Sequence, residues 1–183
     1  MAFLRRVAPT ALMLLVAAAA SLAHAADGVQ LVEQKIKAGL IYNFLKYTAW
    51  PGVPDQAPMV VCLLGGDPFD GHLSPLGGRT VNQHAIEVRS LRAAAEAGAC
   101  SALIIHQSES ASWPQLRKLL AGKDILTVAD FDGFATAGGM IEFARTDERI
   151  GVKVNVDAIG ATRLKVEQRL LNLATIVRLS PEP

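Results

Sequence analysis

Beyond residue 25 the sequence has no apolar run long enough to cross a membrane, only two cysteines, no block of basic residues and no internal repeat. Each shortage removes a class of protein. A transmembrane helix needs about 20 consecutive apolar residues. A nucleic-acid-binding surface needs clustered Lys and Arg, whereas this chain carries 18 basic against 17 acidic residues. The absence of repeats, low-complexity tracts and interior linkers argues against solenoids and strings of domains. Neither G-x-G-x-x-G nor a P-loop with Gly-Lys-Ser/Thr is present, and G-x-S-x-G is missing, so neither of those phosphate-binding fingerprints nor a nucleophile elbow is encoded.

What is present begins with an export signal. Arg5 and Arg6 form a positive start, Ala11 to Leu22 is almost wholly apolar, and Ala23-His24-Ala25 places small residues where a signal peptidase reads them. The apolar stretch spans about 12 residues, too few to cross a bilayer. No Cys stands at the cleavage point for acylation. The expectation is a signal peptide over residues 1–25 and a mature domain over 26–183, located in the periplasm. Removing the two arginines takes the net charge from +1 to −1. Cys62 and Cys100 both survive cleavage, and an even pair in an exported chain favours a disulfide. The alternative is two buried thiols, since both lie beside apolar, strand-like runs.

Hydrophobic patterning predicts one α/β domain. Leu31 to Tyr47 reads as an amphipathic helix with Val32, Ile36, Leu40, Phe44 and Tyr47 along a stripe, ended by Trp50-Pro51. Met59 to Leu64 and Cys100 to Ile105 are continuously apolar runs, the pattern of strands covered on both faces of a parallel sheet. Strands are also expected over Ala85 to Val88 and Ile125 to Val128. Short helices are expected over Leu91 to Ala97 and from Trp113-Pro114 to Leu120, the latter capped by Ser112. Met140 to Phe143 and Val152 to Val156 form a hairpin turned at Asp147 to Gly151, and Gln168 to Leu179 reads as a helix. The fold expected is a mostly parallel sheet flanked by helices, with an antiparallel edge hairpin.

The candidates for chemistry are few. Gly65-Gly66-Asp67-Pro68 follows a strand but reads as a strand-to-helix turn. His72, His84 and His106 show no metal-ligand spacing; His106 alone falls at the carboxyl edge of the expected sheet, where α/β proteins place ligands. Ser108, Ser110 and Ser112 lie near it. Asp130, Asp132 and Glu142 flank a Gly-rich loop, and Tyr42, Tyr47 and Trp50 offer either a partner surface or core packing. Ile159, in a turn-like segment, is a candidate exposed contact for a partner. No catalytic constellation, metal site or cofactor site emerges, so no enzyme is expected.

Several segments taken together resemble the YfiR-like periplasmic proteins. They are KAGLIYNFLKYTAWP at Lys37 to Pro51, VVCLLGGDPF at Val60 to Phe69, GR-V at Gly78 to Val81, ACSALII at Ala99 to Ile105, ILTVADFDGFATAGGMIEF at Ile125 to Phe143, VKVNVDA at Val152 to Ala158 and RLLNLA at Arg169 to Ala174. The resemblance implies a regulator that represses an inner-membrane diguanylate cyclase, controlling cyclic di-GMP and biofilm formation. It implies an outer-membrane lipoprotein as a second partner, and a homodimer. A histidine kinase is the other membrane partner considered, and a periplasmic small-molecule binding protein the alternative function. Cys62 and Cys100 match one family disulfide; a second falls at Ala135 and Glu142, where this chain has no cysteine.

Overall fold

The computed structural model describes residues 31–146 and 149–179. The expected signal segment, and residues 147–148 at the hairpin turn, lie outside them. Helix α1 occupies residues 31–46. It is followed by β1 (Thr48–Ala49), β2 (Met59–Leu64), β3 (Thr80–Val81), β4 (His84–Leu91), β5 (Ala102–Ile105), α2 (Trp113–Leu120) and β6 (Leu126–Ala129). The chain then forms β7 (Ile141–Thr146), β8 (Arg149–Asn155), α3 (Val156–Gly160), β9 (Lys165–Val166), α4 (Gln168–Leu171) and β10 (Thr175–Val177). Among the described residues no helix is long and apolar enough to cross a membrane.

Eight strands form one sheet in the order β10-β8-β7-β6-β5-β2-β4-β3. The centre is parallel, with β4, β2, β5, β6 and β7 running the same way, while β7 and β8 form the antiparallel hairpin. All six residues of β2 and all four of β5 are buried. Their side chains alternate between two cores, as strand geometry requires. Val61, Leu63, Ala102, Ile104, Leu126 and Val128 face one core, beneath α1, α3 and α4. Val60, Cys62, Leu64, Leu103, Ile105 and Ala129 face the other, beneath α2 and the 3-10 segment Ala94–Ala99. The unbroken apolar runs therefore encode a sheet covered on both sides.

Helix α1 matches its expected span but not its expected face. Ala38, Ile41, Phe44 and Leu45 are buried, whereas Val32 and Ile36 are 55% and 48% exposed. A step of four residues turns 400°, so a stripe written every fourth residue drifts about 40° per step. Over 32, 36, 40 and 44 that drift carries the line from solvent into the core.

Two further expectations are corrected. Gln168 to Leu179 is not one helix: α4 is a single turn, and Thr175–Val177 pairs parallel with β8 as β10. The β-branched run Thr175-Ile176-Val177 suits a strand, and the outer backbone of β8 supplies a partner no local propensity can foresee. Leu170 is buried while Leu173 is 79% exposed. Ile159 is not an exposed contact: it is 7% exposed and belongs to the α1-side core. Asn155 accepts a hydrogen bond from the Ala158 N–H and caps α3, and that short helical turn folds Ile159 inward.

Smaller differences are local. Strand β3 and its hairpin to β4 were not expected; Asn82 and Gln83 both take positive φ, forming the two-residue turn. Ser112 stands at the start of α2 but makes no capping bond with its side chain.

Candidate functional site

The carboxyl ends of β2, β5 and β6 open into a crevice of about 440 Å³. Pro68 follows β2, His106 follows β5, and Asp130, Phe131 and Asp132 follow β6. Glu33, Gln34 and Lys37 of α1 form the opposite wall, and Phe143 contributes apolar surface. In parallel α/β sheets this is where ligands bind, because the strand-to-helix loops converge there.

Lys37 is the buried charge of the site, at 6% exposure. Its ammonium lies 2.8 Å from Asp130 Oδ2 and pairs with Glu33 one turn earlier in α1. A buried ammonium needs such partners, since leaving it unpaired would cost several kcal/mol. The pair also ties α1 to the end of β6. The crevice thus presents three carboxylates, from Glu33, Asp130 and Asp132, against one ammonium.

His106 sits beside them with its ring anchored. The Ser108 N–H donates to His106 Nδ1 at 3.1 Å, which leaves the neutral ring's proton on Nε2. The Ser108 hydroxyl donates to the Gly65 carbonyl at 3.0 Å and also lies 3.0 Å from Nδ1. This is a loop-locking arrangement: the serine proton is directed at a carbonyl, and the imidazole nitrogen that could take it is occupied by a backbone N–H. Gly65, at φ +82°, has no room for a side chain, since a Cβ would stand 2.6 Å from Glu109 and 2.7 Å from Ser108 Oγ.

The third carboxylate singled out from the sequence, Glu142, is elsewhere. It is wholly buried on β7, where Oε2 accepts the Ala135 N–H at 2.8 Å and Oε1 lies 2.7 Å from Lys153 Nζ. Asn155 donates to the Ala135 carbonyl at 2.6 Å. A buried charge network therefore holds the loop at the two positions where the resemblance placed a second disulfide. The same loop packs Phe134 against Trp113, with ring centroids 4.4 Å apart, and Gly139 against Phe134, where a Cβ would fall 2.2 Å from the ring.

The structure joins Cys62 to Cys100 across the α2-side core, with Cα atoms 5.9 Å apart. His72 and His84 do not reach the crevice; His84 Nδ1 is 2.7 Å from the Ala57 carbonyl. Trp50 is buried and donates its indole N–H to the Ser101 carbonyl at 3.1 Å. Tyr42 and Tyr47 are half-buried at the other end of α1, each with a cation over its ring. Among the described residues no three His, Cys, Asp or Glu side chains cluster to hold a metal ion. The sequence missed the α1 wall of the crevice. Glu33 and Lys37, four residues apart, were the available signal, but the Asp130 that completes them is 93 positions away.

No curated protein matches the chain. A family model described as YfiR/HmsC-like matches residues 34–175, from the first described turns of α1 to the start of β10. That span includes the parallel centre of the sheet, both cores and nearly every wall of the crevice, and the chain belongs to the YfiR/HmsC-like family.

Proposed function

We propose that the protein is a periplasmic regulator that binds an inner-membrane signalling protein and represses it, the partner being a diguanylate cyclase and the output cyclic di-GMP and biofilm formation. The observation that carries this reading is the family match over residues 34–175. The sequence supports it with the export signal at residues 1–25. The site supports it by offering a crevice whose one Ser–His contact is spent on locking a loop. In this reading the mature domain spans 26–183, forms a homodimer, and is released from the cyclase when an outer-membrane lipoprotein sequesters it. A histidine kinase is the second candidate for the membrane partner.

The test is capture from detergent-solubilised envelopes, together with cyclic di-GMP measurement in a deletion strain. Recovery of a membrane cyclase and a raised cyclic di-GMP level are expected. Repeated capture of no membrane protein, with unchanged cyclic di-GMP, overturns the reading. Export is checked by intact mass of the periplasmic form: it should begin at Ala26 and, with Cys62 and Cys100 bonded, weigh about 2 Da less than the dithiol.

A second reading, a small-molecule binding protein, rests on the 440 Å³ crevice. It is favoured if native mass spectrometry of the protein purified from envelopes shows a retained solute that Lys37→Met loses, and if no membrane protein is captured. Transport-type binding proteins usually close two lobes on a ligand, and a single sheet supplies one.

A further inference from the structure

The carboxyl end of α1 carries a surface that neither the crevice nor the core uses. Arg79 stands over the Tyr42 ring, 5.9 Å from its centroid. Lys46 and Arg169 both stand over Tyr47, at 5.2 and 4.5 Å. Three separate parts of the chain meet here. The Asn82 side chain donates to the Lys46 carbonyl at 3.0 Å, which brings the β3–β4 turn against the helix end. From the other side the Glu167 N–H donates to the Tyr47 carbonyl at 2.9 Å, which brings in α4. Tyr42 and Lys46 are one turn apart on α1 and so share a face.

The patch is basic in a chain that is otherwise near balance. Arg169 pairs with Glu167, but Lys46 and Arg79 have no carboxylate partner among the described residues. Both are exposed, and the tyrosines beneath them are half-buried. A cation held over an aromatic face has already lost part of its side-chain freedom, so less remains to be lost on binding. Tyrosine and arginine are also the residue types that anchor protein interfaces. The Arg79 guanidinium, which has no carboxylate beside it among the described residues, presents a planar fork that matches a carboxylate through two parallel bonds, a geometry suited to a discrete side chain rather than to a diffuse layer of headgroups.

We propose that this Lys46–Arg79–Arg169 surface over Tyr42 and Tyr47 is a docking face for an acidic polypeptide segment of a binding partner. As the docking face of a membrane regulator it rests on the function proposed above; as an acidic-segment site it is tested without it. The probe is a fluorescein-labelled oligo-glutamate peptide, followed by anisotropy in low salt with the purified domain. The wild type should bind, added salt should weaken binding, and K46E/R79E should weaken it at least about tenfold. Arg92→Glu, a charge reversal at an exposed site just past the far end of β4, should leave binding unchanged and so separates the patch from net charge. Circular dichroism melts establish that each variant is folded.

Absence of peptide binding by the wild type, or equal loss in the Arg92→Glu variant, overturns the proposal. So does sedimentation with phosphatidylglycerol vesicles in place of peptide binding. In the envelope capture, a membrane partner retained equally by K46E/R79E overturns the docking face and leaves the regulator standing. Capture of nothing by the wild type removes the regulator, while the peptide result still decides the surface.

Discussion

At the scale of single residues, the two informative groups are carboxylates that the sequence could not tell apart from their neighbours. Glu142 is wholly buried and satisfies both a backbone N–H and an ammonium, so its removal strands polar groups in the interior. Glu142→Gln keeps one acceptor oxygen and should cost about 1–2 kcal/mol. Glu142→Leu should cost about 3 kcal/mol, tempered by the 35% exposure of the Lys153 side chain. Urea denaturation of both variants checks the order. If Leu proves as benign as Gln, the network contributes little to stability.

Asp124 is a different case, a part-buried carboxylate whose side chain is 13% exposed. The hydrogen bond from the Arg163 side chain, then that from the Arg163 backbone N–H, hold its carboxyl below the ordinary value of 3.8. A lowered folded-state pKa contributes stability that is present above the unfolded value and lost as pH falls through the folded one. The wild type should therefore lose a small increment of stability below about pH 4, and Arg163→Ala, which keeps only the backbone hydrogen bond, should lose a smaller one. NMR titration of the Asp124 carboxyl carbon should show the midpoint rising in that variant; an unmoved midpoint would contradict the assignment.

At the scale of elements, span was more legible than partnership. Apolar runs and Pro and Gly punctuation are local, and they located α1, β2, β5 and α2 closely; they found the hairpin too, but its strands run further toward the turn than expected, to Thr146 and from Arg149. The last segment failed because RLLNLATIV satisfies a helical face and a strand about equally. The choice belongs to β8, whose free edge pairs with Thr175–Val177. A paired substitution separates the two descriptions. Leu170→Ala should cost about 2–3 kcal/mol, because Leu170 is buried in the α1-side core, whereas Leu173→Ala should stay within about 0.5 kcal/mol. Equal costs would restore the continuous helix. Ile159 failed for a related reason: a turn-like sequence says that the chain bends, not which side chain the bend carries inward.

At the scale of the whole molecule, two cores share one sheet. Trp50 belongs to the α1-side core and Trp113 to the α2-side core, and every apolar residue of β2, β5 and β6 packs into one or the other. Strands common to both cores cannot lose one without exposing the other, so the described domain should unfold in a single step. In urea, Trp50→Phe and Trp113→Phe variants, each reporting from the remaining tryptophan, should show transitions that superimpose once corrected for the stability of each variant. Separated transitions would mean two independent halves. The candidate crevice is a property of this scale as well. Its polar residues come from α1 and the loops after β2, β5 and β6, and they converge only because parallel strands bring their carboxyl ends to one edge.

By itself the sequence determined the α/β class, the buried strands, the family and the expectation of export, because each is written in local composition or in short segments in a fixed order. The crevice around Lys37, the burial of Glu142 and Ile159, the strand at 175–177 and the basic surface at the end of α1 were decided only by tertiary structure. The physical reason is common to all of them. A charge pair, a strand edge or a buried face depends on what stands across from it, and in this fold the partner lies at distant positions, as Asp130 does from Lys37.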